Sequence, residues 1–190
     1  MSFASMHRYG ELFVNFMKMR KSVFIDQLGW NLPHTDGMEF DQYDTPLARM
    51  VVVHEYGEVL AGIRLSPTTA RVGLHSYMLR DAQLGLLEGL PRDVLFFEAP
   101  VDPSIWEATR VFISDTVGAS RRPAIQRLLV DTMIKAAVDG GAKSIIGIVP
   151  SLYARWLRRL DLAAVPVGPR FVVDRLPHQA ILFNTHHGIQ

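Results

Sequence analysis

The sequence predicts one α/β (α+β) domain, residues 1–190, with a mixed, mostly antiparallel central sheet flanked by helices. Three observations carry this. The chain has 190 residues, enough to bury a core of its own. Apolar residues recur at helical spacing in some stretches and as short β-rich runs in others. The resulting order is helix, hairpin, helix, strand, helix, strand, helix, strands, which suits a layered sheet-and-helix domain.

Residues 11–27 read as a helix, because Leu12, Phe16, Met19 and Val23 recur at helical spacing. Gly29 breaks it, and residues 30–45 form a polar loop containing Gly and Pro. Residues 50–54 and 59–65 are two β-rich runs about a turn at 55–57, a hairpin. Pro67 ends the second run, since proline cannot donate to a ladder. Residues 77–90 read as a helix and 106–114 as a strand. The clearest helix is 124–139, with Ile125, Leu128, Leu129, Met133, Ala136 and Ala137 as its apolar stripe. Pro123 suits its first turn and Gly140-Gly141 stop it. Residues 144–149 read as a buried strand, 152–160 as a short basic helix, and 165–173 and 180–184 as closing strands.

Hydrophobic residues make up 48% of the chain and charged residues 21%, ordinary values for a globular protein. The formal net charge is +1, so no overall field recruits nucleic acid. Cysteine is absent, which excludes disulfides and Cys-based zinc sites and is compatible with a reducing compartment. No apolar run approaches the roughly 18 residues of a membrane span. The N-terminus lacks the apolar stretch of a signal peptide. The expectation is a soluble cytoplasmic protein that binds neither nucleic acid nor membrane.

Chemistry-bearing residues concentrate in the first 110 positions. Arg20 and Phe24 are four apart, so on a helix they share a face, and Trp30 follows a short loop. An arginine can hold a carboxylate through paired hydrogen bonds, and Phe and Trp can flank a flat ring or face a cation. Alone, they read more readily as two core aromatics beside a solvated arginine. Glu39, Asp41 and Asp44 place three carboxylates in one loop, able to hold an ammonium or sulfonium group. A solvated loop is the alternative. A divalent metal fits less well, because the glycine and terminal Glu of an EF-hand loop are missing. Arg64 ends a strand before the turn Pro67-Thr68-Thr69. Glu107 and Arg110 lie in a strand-like run, where a period of two sends them to opposite faces. A bulge between them would let both address one cleft.

In combination these positions resemble the acyl-homoserine lactone synthases, the autoinducer synthases of bacterial quorum sensing. That family carries Arg-x3-Phe, a downstream Trp, Glu-x-Asp-x2-Asp, Arg-Leu-x-Pro-Thr-Thr and Trp-Glu-x-x-Arg. Here the matches are Arg20 and Phe24, Trp30, then Glu39, Asp41 and Asp44, then residues 64–69, and Trp106, Glu107 and Arg110. The match covers residues 20–113. Ala108-Thr109 departs from the Leu-Ser of many members, the stretch between Thr69 and Trp106 is longer, and Asp81-Ala82-Gln83-Leu84 lacks an aromatic often found there.

The resemblance implies the acetyltransferase-like (GNAT-like) fold and a defined reaction. The amine of S-adenosylmethionine attacks an acyl thioester on acyl carrier protein or acyl-CoA. The methionyl carboxylate then closes on its own γ-carbon and expels methylthioadenosine. S-adenosylmethionine is substrate, and no prosthetic group is implied. Arg20, Phe24 and Trp30 would wall the S-adenosylmethionine site, and Asp41 and Asp44 would bind its cationic groups. Glu107 would take the amine proton directly or through water, with Arg64 and Arg110 organising the carboxylates. Gly147 would line the acyl tunnel, and without a hydroxyl there an acyl chain lacking a 3-oxo group is expected. Arg121, Arg122, Arg127, Lys135, Arg155, Arg158 and Arg159 could form a docking face for an acidic carrier protein. The rivals are a plain GNAT acyltransferase, for which Gly118-Ala119-Ser120-Arg121-Arg122 is a poor pyrophosphate loop, and a ligand-sensing homologue without turnover. His186-His187 receives no role.

Overall fold

The computed structural model describes residues 1–151, 157 and 162–185. The basic helix expected over 152–160, with Arg155, Arg158 and Arg159, lies outside them apart from Leu157, as do His186 and His187. Contacts group the chain into two units: Met1–Leu65 with Arg110–Met133, and Ser66–Thr109 with Ile134–Gln190.

In the first unit, helix α1 (Leu12–Arg20) passes directly into a π-helical stretch, Lys21–Gln27. One helical rod over 11–27 was the expectation, and the change of geometry falls directly after Arg20. The stretch from Trp30 onward is more ordered than a loop. A two-residue ladder, β1 (His34–Thr35) with β2 (Met38–Glu39), turns at Asp36-Gly37 and places Glu39 inside. Strand β3 (Arg49–Glu55) pairs antiparallel with β4 (Glu58–Pro67). Tyr56 and Gly57 both have positive φ at the tip, as a tight hairpin turn requires. The rings of Phe16 and Phe112 lie directly on Gly62 of β4: a Cβ there would come within 2.5 and 2.9 Å of them. With Phe13, Met17, Val23, Phe24 and Met50 they form this unit's core.

Strand β5 (Ile105–Ile113) runs through both units in sequence. Its last residues belong to the first unit, whose strand order is β3-β4-β5; its first residues belong to the second, whose order is β5-β6-β8-β7. In the second unit β6 (Ser144–Pro150) is parallel to β5, from Ile105↔Ser144 to Ala108↔Gly147. Strand β8 (Leu176–Asn184) is antiparallel to β6 and to β7 (Val165–Val173). The sheet is therefore mixed, with antiparallel pairs in the majority. Helix α2 is Met78–Leu84, shorter than the expected 77–90, because Gly85 takes the left-handed conformation, φ 75°, and caps it. Tyr77, Leu79, Val94, Leu95, Ile146 and Ala180 are in this unit's core.

Helix α3 (Arg122–Val138) ends at Gly140-Gly141, where the Ala142 amide reaches back to the Ala137 carbonyl. Its buried face differs from the expected stripe by one row. Leu128 is exposed, while Val130 and Ile134 are buried. Among the described residues, no helix is long and apolar enough to cross a membrane.

Candidate active site

Six charged side chains of the first unit close into a ring in which arginine and carboxylate alternate. Glu39 takes Arg20 on Oε2 and Arg110 on Oε1. Asp41 faces Arg110 at 2.8 Å and takes Arg64 through both oxygens. Asp44 faces Arg64 at 2.9 Å and takes Arg20 through both oxygens. The sequence brings these together simply. Arg20 ends α1, Glu39 ends the small β ladder, Asp41 and Asp44 sit in the turn after it, Arg64 is on β4 and Arg110 on β5. Three positive and three negative groups give no net charge. All are buried: Arg20 and Glu39 are 0% exposed, and Arg110, the most exposed, 8%.

Burial alone would raise the Asp41 carboxyl, but Arg64, Arg110 and Arg20 around it hold it far below the usual carboxylate range. The converse applies to Arg64, which burial alone would lower and Asp41 and Asp44 raise. Each aspartate also accepts a backbone amide: Asp41 that of Tyr43, and Asp44 that of Asp41. With these, Asp41 has donors at 2.5, 2.8, 2.8 and 3.0 Å. Asp44 has them at 2.6, 2.9, 2.9 and 2.9 Å. A carboxylate offers about four such lone-pair sites. The two acids expected to grip a ligand cation are thus already surrounded by protein donors.

Phe24 and Trp30 stack on each other, with centroids 5.2 Å apart and planes 25° apart. The Trp30 amide folds back to the Phe24 carbonyl, which brings the two rings together. On Phe24 lies the Arg110 guanidinium, 5.6 Å from the centroid. Phe24 is buried and Trp30 half-buried. Arg110 has φ 55°, a left-handed residue inside a strand. Such backbone is costly for a non-glycine residue and alters the simple alternation of side chains between Glu107 and Arg110.

Glu107 belongs to the second unit and is 2% exposed. Its Oε2 accepts the Met78 amide at 2.9 Å and its Oε1 the Leu79 amide at 2.8 Å, the first two N–H groups of α2. Gly147 pairs with Ala108 in the β5–β6 ladder, and a Cβ there would stand 2.7 Å from the Ala108 carbonyl oxygen.

Of the basic residues expected as a docking face, Arg121 pairs with Glu55, Arg127 with Asp131 and Lys135 with Asp139. Arg122 donates to the Ser114 and Val117 carbonyls. Among the described residues, no group of three or more His, Asp or Glu could hold a metal.

Two contributions were missed in the sequence reading. Glu39 received no role of its own, although it bridges Arg20 and Arg110; its place in the Glu-x-Asp-x2-Asp spacing was the signal. The α2 amides on Glu107 are backbone groups and carry no residue-type signal.

The family model of the autoinducer synthases matches residues 5–169 of the chain. An acyl-homoserine-lactone synthase of Ralstonia nicotianae is 35% identical over 159 residues, covering 79% of this chain and 71% of that protein. The crystal structure of TofI in a ternary complex with an inhibitor and MTA superposes with a TM-score of 0.72 at 26% identity, over 90% of this chain and 83% of that one. An acyl-CoA N-acyltransferase from Pseudomonas aeruginosa has a TM-score of 0.56 at 14% identity, over 90% of this chain and 88% of its own, and shares the fold.

Proposed function

The chain belongs to the autoinducer synthase family, and we propose how its own residues carry out that family's reaction. It is an acyl-homoserine-lactone synthase, joining S-adenosylmethionine to an acyl group held as a thioester on acyl carrier protein or coenzyme A and releasing methylthioadenosine. The observation that carries the assignment of residues is the closed ring of Arg20, Glu39, Arg110, Asp41, Arg64 and Asp44, since it is built from the motif positions themselves.

In this reading the ring is a rigid, neutral frame beside S-adenosylmethionine. Asp41 and Asp44, with donors already on both oxygens, act on the ligand through the field and position of the arginines they hold. Arg110 is the ring's most exposed member and is presented to the methionyl carboxylate. Trp30, stacked on Phe24, offers a flat apolar wall to the adenine or the sulfonium. Glu107 lies three residues from Arg110 on β5. The Met78 and Leu79 amides hold its carboxylate in place, and it accepts the amine proton directly or through a water.

The amine nitrogen then attacks the thioester carbonyl carbon. The C–S bond breaks, the amide forms, and the proton passes to the leaving thiolate. In the second step a carboxylate oxygen bonds to Cγ and the Cγ–S bond breaks, so the positive sulfur leaves as neutral methylthioadenosine. Both reacting groups are on one molecule, so orientation lowers the barrier, by up to about 7–11 kcal/mol in favourable intramolecular cases. We place the reaction in the cytoplasm.

The test uses purified protein, S-adenosylmethionine and a panel of acyl thioesters on both carriers, read by mass spectrometry. An acyl-homoserine lactone with an equal amount of methylthioadenosine is expected. Acylation of other amines without methylthioadenosine would instead make this a plain acyltransferase.

A further inference from the structure

The reaction as drawn leaves a second buried carboxylate of the Glu107 unit unused. Asp81 is on α2, its side chain is 0% exposed, and it turns back to the residues just before the helix. Its Oδ1 accepts the Ser76 hydroxyl at 2.6 Å and the Ser76 amide at 3.0 Å; its Oδ2 is 3.0 Å from His75 Nδ1. His75 in turn closes a tight bridge with Val72 through both backbone bonds. Between the gripped Ser76 and the gripping Asp81 lie Tyr77, Met78, Arg80 and Leu79, and the Met78 and Leu79 amides are the two that hold Glu107. The segment is a closed loop of chain with a buried carboxylate at its root. Tyr77, the N-cap, is tied separately by its hydroxyl to the Pro100 carbonyl at 2.6 Å.

We propose that Asp81 is a positioning residue for acyl transfer: it fixes the segment Ser76 to Leu79 so that the Met78 and Leu79 amides hold the Glu107 carboxylate in one orientation. The proposal rests on the reading of Glu107 as proton acceptor. A glutamate side chain has three torsions and several rotamers, and two amides aimed at its two oxygens select one. Those amides can aim only if the first turn of α2 is itself fixed, and Ser76 is the residue through which Asp81 fixes it. His75 adds an outer tether.

The experiment compares Asp81→Ala, Asp81→Asn and Glu107→Gln, alone and as the double variant Asp81→Ala/Glu107→Gln, in full steady-state assays with thermal melts alongside. Asp81→Ala is expected to lower kcat roughly 10- to 100-fold, with KM for S-adenosylmethionine within about 2-fold. Asp81→Asn keeps an oxygen acceptor for Ser76 and should return kcat to within about 3-fold of wild type. The double variant should be no slower than Glu107→Gln, because Asp81 acts through Glu107. Losses that multiply in the double variant, or an Asp81→Asn as slow as Asp81→Ala, would overturn the proposal and leave the enzyme's reaction standing. Near-normal turnover of Glu107→Gln would instead overturn the reading beneath it, and the proposal with it. If Asp81→Ala does not fold, Ser76→Ala removes one bond of the same grip, and the same pattern is expected at smaller size.

Discussion

Arg20 donates to both oxygens of Asp44, from Nη1 at 2.6 Å and from Nη2 at 2.9 Å, while its Nε reaches Glu39. One guanidinium therefore fixes two carboxylates that lie five residues apart, and the planar fork is what makes this possible. Removing it leaves buried, uncompensated negative charge. Arg20→Met should destabilise the protein by about 3–5 kcal/mol. Arg20→Lys should recover only part of that, since an ammonium cannot span both acids. Denaturant unfolding measures both. A lysine variant as stable as wild type would show that charge alone, without the fork, suffices.

Acid should weaken the same ring. Asp41 is lowered in the folded state, because the surrounding arginines outweigh its burial. A depressed carboxyl contributes stability that is fully present above its unfolded value, about 3.9, and is lost as pH falls toward the folded value. The ring's contribution should hold steady from about pH 5 upward and fall away progressively below about pH 4. Thermal melts from pH 7 to pH 3 test this, with Asp41→Asn as comparison. The variant should have a shallower loss in acid; parallel curves would assign the acid sensitivity elsewhere.

At Glu107 the prediction concerns turnover. Glu107→Gln preserves size and one acceptor but cannot take a proton, so turnover should drop roughly 10²- to 10⁴-fold. The new NH2 group must face one of the α2 amides, so a loss of about 1 kcal/mol in stability is expected as well. Circular dichroism and a melt establish that the variant is folded. A folded variant that keeps most of its turnover would remove Glu107 as the base.

These residues also mark how far the sequence could be read. Strands β3 to β8 were visible, because alternation, Pro67 and Gly140-Gly141 are local signals. Helix α2 was drawn too long, since the Gly85 cap competes with a Leu-rich continuation that looks helical by period. Leu128 was placed in the core because one extra apolar row on α3 cannot be told from the buried one without the partner surface. Asp41, Asp44 and Arg64 stood out in the sequence as charged positions of one motif. That they surround each other was not, because pairing between positions 20, 39, 44, 64 and 110 depends on tertiary placement. The left-handed backbone at Arg110 falls between: a cleft shared by Glu107 and Arg110 would need a bulge, and the irregularity found is a positive φ at Arg110.

Gly147 separates two explanations for one residue. The sequence suggested that a missing hydroxyl there biases the enzyme against 3-oxo acyl chains. The structure adds a steric reason for glycine: a Cβ would stand 2.7 Å from the Ala108 carbonyl oxygen, a backbone atom in the paired strand that has little room to move. Gly147→Ala should therefore cost about 1–3 kcal/mol through overpacking, and Gly147→Thr at least as much. If glycine is there for the β5–β6 ladder, threonine should lower kcat/KM for every acyl donor by a similar factor. If the hydroxyl is what matters, threonine should raise the ratio of 3-oxoacyl to plain acyl kcat/KM even as stability falls. The wild type is expected to favour the plain acyl donor of equal length, and a clear preference for the 3-oxo donor would defeat the substrate reading without touching the steric one.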